Sequence, residues 1–120
     1  MNKPLTRGGV YSYDFGKQLG SLQNGLRPVV VVQNNFGNLY SPTTIVAAIT
    51  TSDTKKKLPV HFPLKNYNKY SGLDPRSILL FEQVFTVNKN ELSEEIGYID
   101  LDDNEISKAL SISVGLNNWW

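Results

Sequence analysis

The first periodic segment of this chain alternates. In Gly9 to Phe15, Val10, Ser12 and Asp14 fall on one face while Tyr11, Tyr13 and Phe15 fall on the other, the pattern of a half-buried strand. Gly16 to Gly25 is polar and marked by three glycines, so it reads as an exposed loop. Val29 to Val32 then form an unbroken apolar run between Arg27-Pro28 and Gln33-Asn34, which predicts a strand buried on both faces. Asn35 to Pro42, holding Gly37 and Pro42, is expected to be a second loop. Thr43 to Thr51 gives another central strand, ending in hydroxyls and followed by Ser52-Asp53-Thr54 and Lys55-Lys56-Lys57. Pro59 to Phe62 opens on proline, which suits a short edge strand. Ser77 to Val87 reads as one long strand or two joined by a bend. Only near the end does the period change. Ile106, Ala109, Leu110 and Val114 recur at helical spacing, with Asp102 as the expected N-cap, Glu105 as its capping-box partner and Gly115 at the C-terminal cap. Many short strands and one terminal amphipathic helix predict a β-rich α+β fold, a small and strongly bent sheet or barrel closed by a helix.

Composition narrows the class. A chain of 120 residues is expected to be one domain with one modest core. No apolar run approaches the roughly 18 residues of a membrane helix, and no apolar stretch follows Lys3 and Arg7 as a secretory signal would require. The absence of cysteine excludes disulfides, thiolate catalysis and cysteine-bound zinc, and fits a cytoplasmic location. Charge is uneven. Residues 1–70 carry nine Lys or Arg against Asp14 and Asp53, a balance of +7, whereas residues 71–120 carry three against nine acidic residues, a balance of −6. The first part would make a polyanion-binding face, unless the two parts interleave in space and their fields cancel.

Familiar catalytic sets are missing. With His61 the sole histidine, a two-histidine acid–base pair is excluded. No His, Asp or Glu cluster has metal-ligand spacing, and Asp102-Asp103 sits where carboxylates stabilise a helix start. There is neither a phosphate-binding Gly-x-x-x-x-Gly-Lys loop nor a nucleophile elbow. What remains is Arg27, opening the valine strand, and Thr50, closing its neighbour. Antiparallel pairing of these strands would bring both to one rim, where a guanidinium fork and a hydroxyl can hold a phosphate. A surface arginine and an ordinary β-branched strand residue explain the same two positions without function.

The order of the segments adds more. Arg7-Gly8-Gly9-Val10-Tyr11, Gly20-Ser21-Leu22-Gln23-Asn24-Gly25-Leu26-Arg27-Pro28 with the valines through Asn34, Gly37-Asn38, Ser41-Pro42-Thr43, Ile45-Val46-Ala47-Ala48-Ile49-Thr50, Lys57 to His61, Glu82-Gln83 and Ala109 to Leu116 resemble, in collinear order over nearly the whole chain, the MazF/PemK family of toxin endoribonucleases. The resemblance implies a small SH3-like β-barrel of the CcdB/PemK toxin type with a C-terminal amphipathic helix, forming a homodimer. It implies a growth-arresting toxin that cleaves single-stranded RNA, chiefly mRNA, at a short sequence by attack of a ribose 2′-hydroxyl on the adjacent phosphate, with no metal and no cofactor. It implies a partner antitoxin whose flexible acidic segment occupies the RNA groove. Carried over by position, the catalytic residues are Arg27, stabilising the phosphorane charge and assisting proton transfer to the leaving oxygen, and Thr50, orienting the phosphate. Ser21 and Gln23 match loop positions that grip RNA. Asn34, Leu58, Glu82 and Gln83 match positions that line the groove, where Glu82 and Gln83 would read base edges.

The chain departs from that pattern at Leu22, where relatives carry Glu, at Gly9, where an acidic residue is common, and at Phe85, where many have arginine. Phe85 would stack on a base or pack in the core or dimer. Tyr67 and Tyr70 fall in a surface loop, and Trp119-Trp120 are expected to be buried against the body or the partner. Two rival readings keep the fold and change the function. One is a gyrase-inhibiting toxin resembling CcdB. The other is a relative that binds RNA without cutting it.

Overall fold

The computed structural model describes residues 4–17, 20, 24–52 and 58–118. Six strands form one antiparallel sheet: β1 (Gly9–Asp14), β2 (Leu26–Val31), β3 (Thr43–Thr50), β4 (His61–Pro63), β5 (Ile78–Asn88) and β6 (Glu95–Tyr98), in the spatial order β4-β5-β3-β2-β1-β6. The valine run and the Thr43–Thr50 strand take central places, as their continuous apolar character requires. The proline-opened segment lies at the edge, but its strand is His61–Pro63, and Pro59 precedes it in a turn. The segment from Ser77 is a single strand with a sharp break in register. Ala47 faces Val84, but Ala48 faces Leu80, so Phe81, Glu82 and Gln83 stand opposite no β3 residue. Such a bulge bends its strand and turns the intervening side chains in new directions. A second irregularity lies between Val10 and Tyr11 against β6. Together they curl the sheet into a half-barrel.

Alternation along the strands gives two apolar faces. Val10, Val30, Ala47, Ile49, Phe62, Leu79 and Phe81 pack on one, under α2 (Asn104–Ser113), which contributes Ile106 and Ala109. Tyr11, Phe15, Val29, Val31, Val46, Ala48, Leu80 and Val87 pack on the other, with Leu5, Phe85 and Leu92 partly buried against them. Phe85 is therefore a packing residue, edge-on to Phe15 with ring centroids 5.3 Å apart. The α2 cap falls on Asp103, one residue beyond the expected Asp102. Its Oδ1 accepts from the N–H groups of Glu105 and Ile106 at 3.0 and 3.3 Å. Asp102 instead accepts from Arg7 Nη1 at 2.9 Å.

The expectation of a loop from Asn35 to Pro42 is corrected. Asn35–Tyr40 forms a short helix, α1. Glycine and the lack of a long apolar period hid it, but a local cap and a buried amide hold it. Asn34 Oδ1 accepts from Gly37 N–H at 2.8 Å. Buried Asn38 donates to Gln33 O at 2.9 Å, and its Oδ1 accepts from Gln33 Nε2 at 3.1 Å and from Thr44 Oγ1 at 2.6 Å. Strand β6 and two single 3-10 turns, Leu64–Asn66 and Lys89–Glu91, are further elements without a sequence signal strong enough to predict them. Among the described residues no helix is long and apolar enough to cross a membrane. Trp119 and Trp120 lie outside the described residues.

Candidate active site

Strand register decides which polar residues share a rim. Val29 of β2 faces Ala48 of β3, and Arg27 and Thr50 each lie two residues further along their strands in the same direction, beyond the last facing pair. Arg27 is paired with Tyr13 of β1 on its other side, and Thr50 with Ile78 of β5. Tyr13–Arg27 and Thr50–Ile78 are thus two cross-strand pairs at one end of the sheet, with Arg27 and Thr50 on the same face as Val29 and Ala48 by alternation. The antiparallel pairing of these two strands expected from the sequence is the one observed.

The two functional groups sit in different environments. Arg27 is exposed, and its Nε donates to Asn24 O at 3.0 Å, fixing the root of the guanidinium and leaving both terminal nitrogens directed elsewhere. Thr50 is buried, at 6% exposure. Its Oγ1 accepts from Ser52 N–H at 3.1 Å, so the hydroxyl proton remains for donation. An anchored fork and a partly satisfied hydroxyl are each suited to hydrogen-bonding a tetrahedral oxyanion.

The loop that precedes Arg27 closes on itself. Gly25 N–H donates to Gly16 O and Phe15 N–H to Gly25 O, both at 2.9 Å, and Gly16 and Gly25 have φ of +64° and +70°, which a side chain would strain. This pinch sets the loop base next to the Tyr13–Arg27 pair. Ser21, Leu22 and Gln23 lie within it but outside the described residues, as does Lys55-Lys56-Lys57 after Thr50.

The remaining candidates lie elsewhere: Asn34 after β2, Leu58 before β4, and Glu82 and Gln83 in β5. Asn34 is exposed but uses its side-chain oxygen as the α1 cap. Leu58 is 39% exposed at the turn into β4, its carbonyl accepting from His61 N–H at 3.0 Å. Glu82 and Gln83 occupy the β5 bulge. Glu82 meets a residue first read as a plain strand residue: His61 Nε2 lies 2.7 Å from Glu82 Oε2. Pairing across neighbouring strands brings them together, a relation that 21 positions of separation conceal in the sequence.

Electrostatics at the whole-face level are moderated. Arg7–Asp102 and Lys69–Asp100 are ion pairs at 2.9 and 3.0 Å, each joining the basic first part of the chain to the acidic last part. The two parts therefore interleave in space, and some of the apparent charge separation is neutralised. Among the described residues no three His, Asp or Glu side chains converge as metal ligands would.

Residues 6–114 match the family described as PemK-like, MazF-like toxin of type II toxin–antitoxin system. The chain is 46% identical over 114 residues to a protein named endoribonuclease MazF from Staphylococcus saprophyticus subsp. saprophyticus, covering 94% of this chain and 93% of that one. It is 45% identical over 116 residues to the protein of the same name from Staphylococcus epidermidis, covering 96% and 95%. Among solved structures, an endoribonuclease in complex with its cognate antitoxin from a mycobacterial species superposes with a TM-score of 0.74 at 24% identity, covering 94% of this chain and 97% of that one. MazF from Deinococcus radiodurans gives 0.73 at 18% identity, covering 95% and 99%. The last two show the likeness of fold.

Proposed function

This chain belongs to the PemK-like, MazF-like toxins of type II toxin–antitoxin systems and is an endoribonuclease of that family; from that premise we propose that it cuts single-stranded mRNA at a short sequence, without a metal, in the cytoplasm. What supports the reading is that Arg27 and Thr50 each lie two residues beyond the facing pair Val29–Ala48, at the same end of neighbouring strands. In the reaction the ribose 2′-oxygen bonds to phosphorus and the bond to the 5′-oxygen breaks. A 2′,3′-cyclic phosphate and a 5′-hydroxyl result. The 2′-proton leaves to a base, and the leaving oxygen gains a proton. Arg27, held at Nε, offers its terminal nitrogens to the phosphorane charge and assists protonation of the leaving oxygen. Thr50 donates its hydroxyl to a non-bridging oxygen and orients the phosphate. Ser21 and Gln23 grip the strand from the loop, and Asn34, Leu58, Glu82 and Gln83 line the groove.

The same reading takes the curled sheet as an SH3-like barrel in a single domain, acting as a homodimer. Exposed Phe36, Leu39 and Tyr40 on α1 are apolar area that a covering partner would bury. It also takes the partner antitoxin to present a flexible acidic segment that competes with RNA for exposed Arg27. The test mixes purified protein with a long RNA in the presence of a chelator. Defined fragments ending in cyclic phosphate are expected. Intact RNA with inhibited gyrase would instead support the gyrase-poisoning reading, and RNA bound but uncut the inactive one.

A further inference from the structure

His61 is poorly explained as a packing residue. Its side chain is 8% exposed, and its Nδ1 is buried without a hydrogen-bond partner among the described residues. An aliphatic side chain would fill the same space without an orphaned polar atom. The ring's one polar contact is Nε2 to Glu82 Oε2 at 2.7 Å. A carboxylate accepts, so the imidazole donates through Nε2–H. Glu82 itself is 37% exposed, and its second oxygen, Oε1, has no partner among the described residues.

Geometry explains why an anchor is needed here. Glu82 sits in the three-residue bulge, where no β3 residue stands opposite to restrain it. A glutamate on a bulge samples several rotamers, and ordering it at the moment of binding costs side-chain entropy. His61, by contrast, is fixed. It pairs with Leu80 in the β4–β5 ladder, and its own N–H donates to Leu58 O, at the turn bearing another groove residue.

We infer that His61 is a positioning residue for base recognition: it holds Glu82 by Oε2 and thereby presents Oε1 to the exocyclic amino group of an amino-bearing base. The inference rests on the proposed RNA cleavage and names a residue that sets its specificity. Amino groups on single-stranded bases are donors, and a fixed carboxylate oxygen favours the bases that carry one, adenine, cytosine and guanine, over uracil, which has none.

Fragment-end mapping on a random-sequence RNA pool tests this with five proteins. Wild type is expected to prefer an amino-bearing base at one position of its site. Glu82→Ala and His61→Asn are expected to relax preference at that same position by about tenfold, the scale of one well-placed hydrogen bond in discrimination. Combining them should add nothing further. His61→Gln, whose amide nitrogen reaches the place of Nε2, should restore most of the preference, whereas His61→Asn reaches only the place of Nδ1. Thermal melts accompany each variant, and the Gln variant keeps the test open where Asn fails to fold. Wild-type preference in folded His61→Asn, an even loss of cleavage over all sequences, or relaxed preference in folded His61→Gln would overturn the role of His61. Uncut RNA with the wild type would overturn the endoribonuclease mechanism instead.

Discussion

At Arg27 and Thr50, exposure and burial predict different behaviour on substitution. Arg27 is exposed and its one hydrogen bond goes to a neighbouring backbone carbonyl, so little of the fold depends on it. Arg27→Ala is expected to lower the cleavage rate by roughly a hundredfold or more, the range for loss of a donor that meets transition-state charge. Its melting temperature should stay at the wild-type value, and single-turnover cleavage with a parallel melt measures both. Thr50 is buried, and its oxygen satisfies Ser52 N–H. Thr50→Val removes donor and acceptor while keeping shape, so it should cost cleavage and about 1 kcal/mol of stability. Thr50→Ser should keep most of both. A Thr50→Val protein that cuts RNA at the wild-type rate would remove Thr50 from the mechanism. The sequence makes this pair legible because both residues terminate strongly apolar strands. His61 and Glu82 are not legible as a pair because only the β4–β5 ladder brings them within 2.7 Å.

Among the elements, those defined by long-range patterning are readable and those defined by local hydrogen bonds are less so. The valine strand, its β3 neighbour, the long β5 and the C-terminal helix follow from apolar periodicity. Helix α1 does not, because its six residues include a glycine and its hold on the body is a buried amide network around Asn38. Strand β6 is short, charged at Glu95 and interrupted by Gly97, so its pairing with β1 creates a strand that its composition does not announce. Asn34 shows how a cap and a binding residue can be separated. As the N-cap of α1 it accepts from Gly37 N–H. Asn34→Ala should lower stability by about 1 kcal/mol. Asn34→Asp keeps the acceptor and should hold the stability, while losing the amide donor and adding repulsion toward phosphate. Urea unfolding alongside RNA-binding titrations reads the two effects. Equal RNA affinity in Asn34→Asp and wild type would leave Asn34 as a cap alone.

For the molecule as a whole, the sequence charge split survives as a set of cross-chain pairs and not as two separate fields. Lys69 holds Asp100 at 3.0 Å, and the hydrogen bond from Lys69, reinforced by Asp102 N–H, keeps the Asp100 carboxyl below its ordinary value of 3.8. Arg76 does the same to Asp74, lowered to about 2. A carboxylate whose folded value is depressed contributes stability above its unfolded value, and that contribution is lost as pH falls through the folded value. The contribution is small, because both pairs are exposed and screened. Its pH signature is nonetheless specific. Asp100→Asn keeps an oxygen for Asp102 N–H but loses the charge, so its melting temperature should lie slightly below wild type near pH 7. The gap should close as pH falls below 3.8 and through the depressed folded value, where the wild-type Asp100 also becomes neutral. A gap that stays constant throughout the acid range would mean that shape or hydrogen bonding, and not the ion pair, ties the middle of the chain to its acidic end. With Arg7 and Lys69 engaged in such pairs, the cations left for RNA among the first 70 residues are fewer than the count of nine suggests. That shifts weight onto Arg27 and onto Lys55-Lys56-Lys57, which follow Thr50 in the sequence. Neutralising those three lysines should reduce the slope of log affinity against log salt by about 2, since each phosphate contact on a single strand contributes roughly 0.7. The measurement is RNA binding by Arg27→Ala protein over a range of salt, so that cleavage does not consume the ligand. An unchanged slope would show that the three lysines stay clear of the RNA backbone.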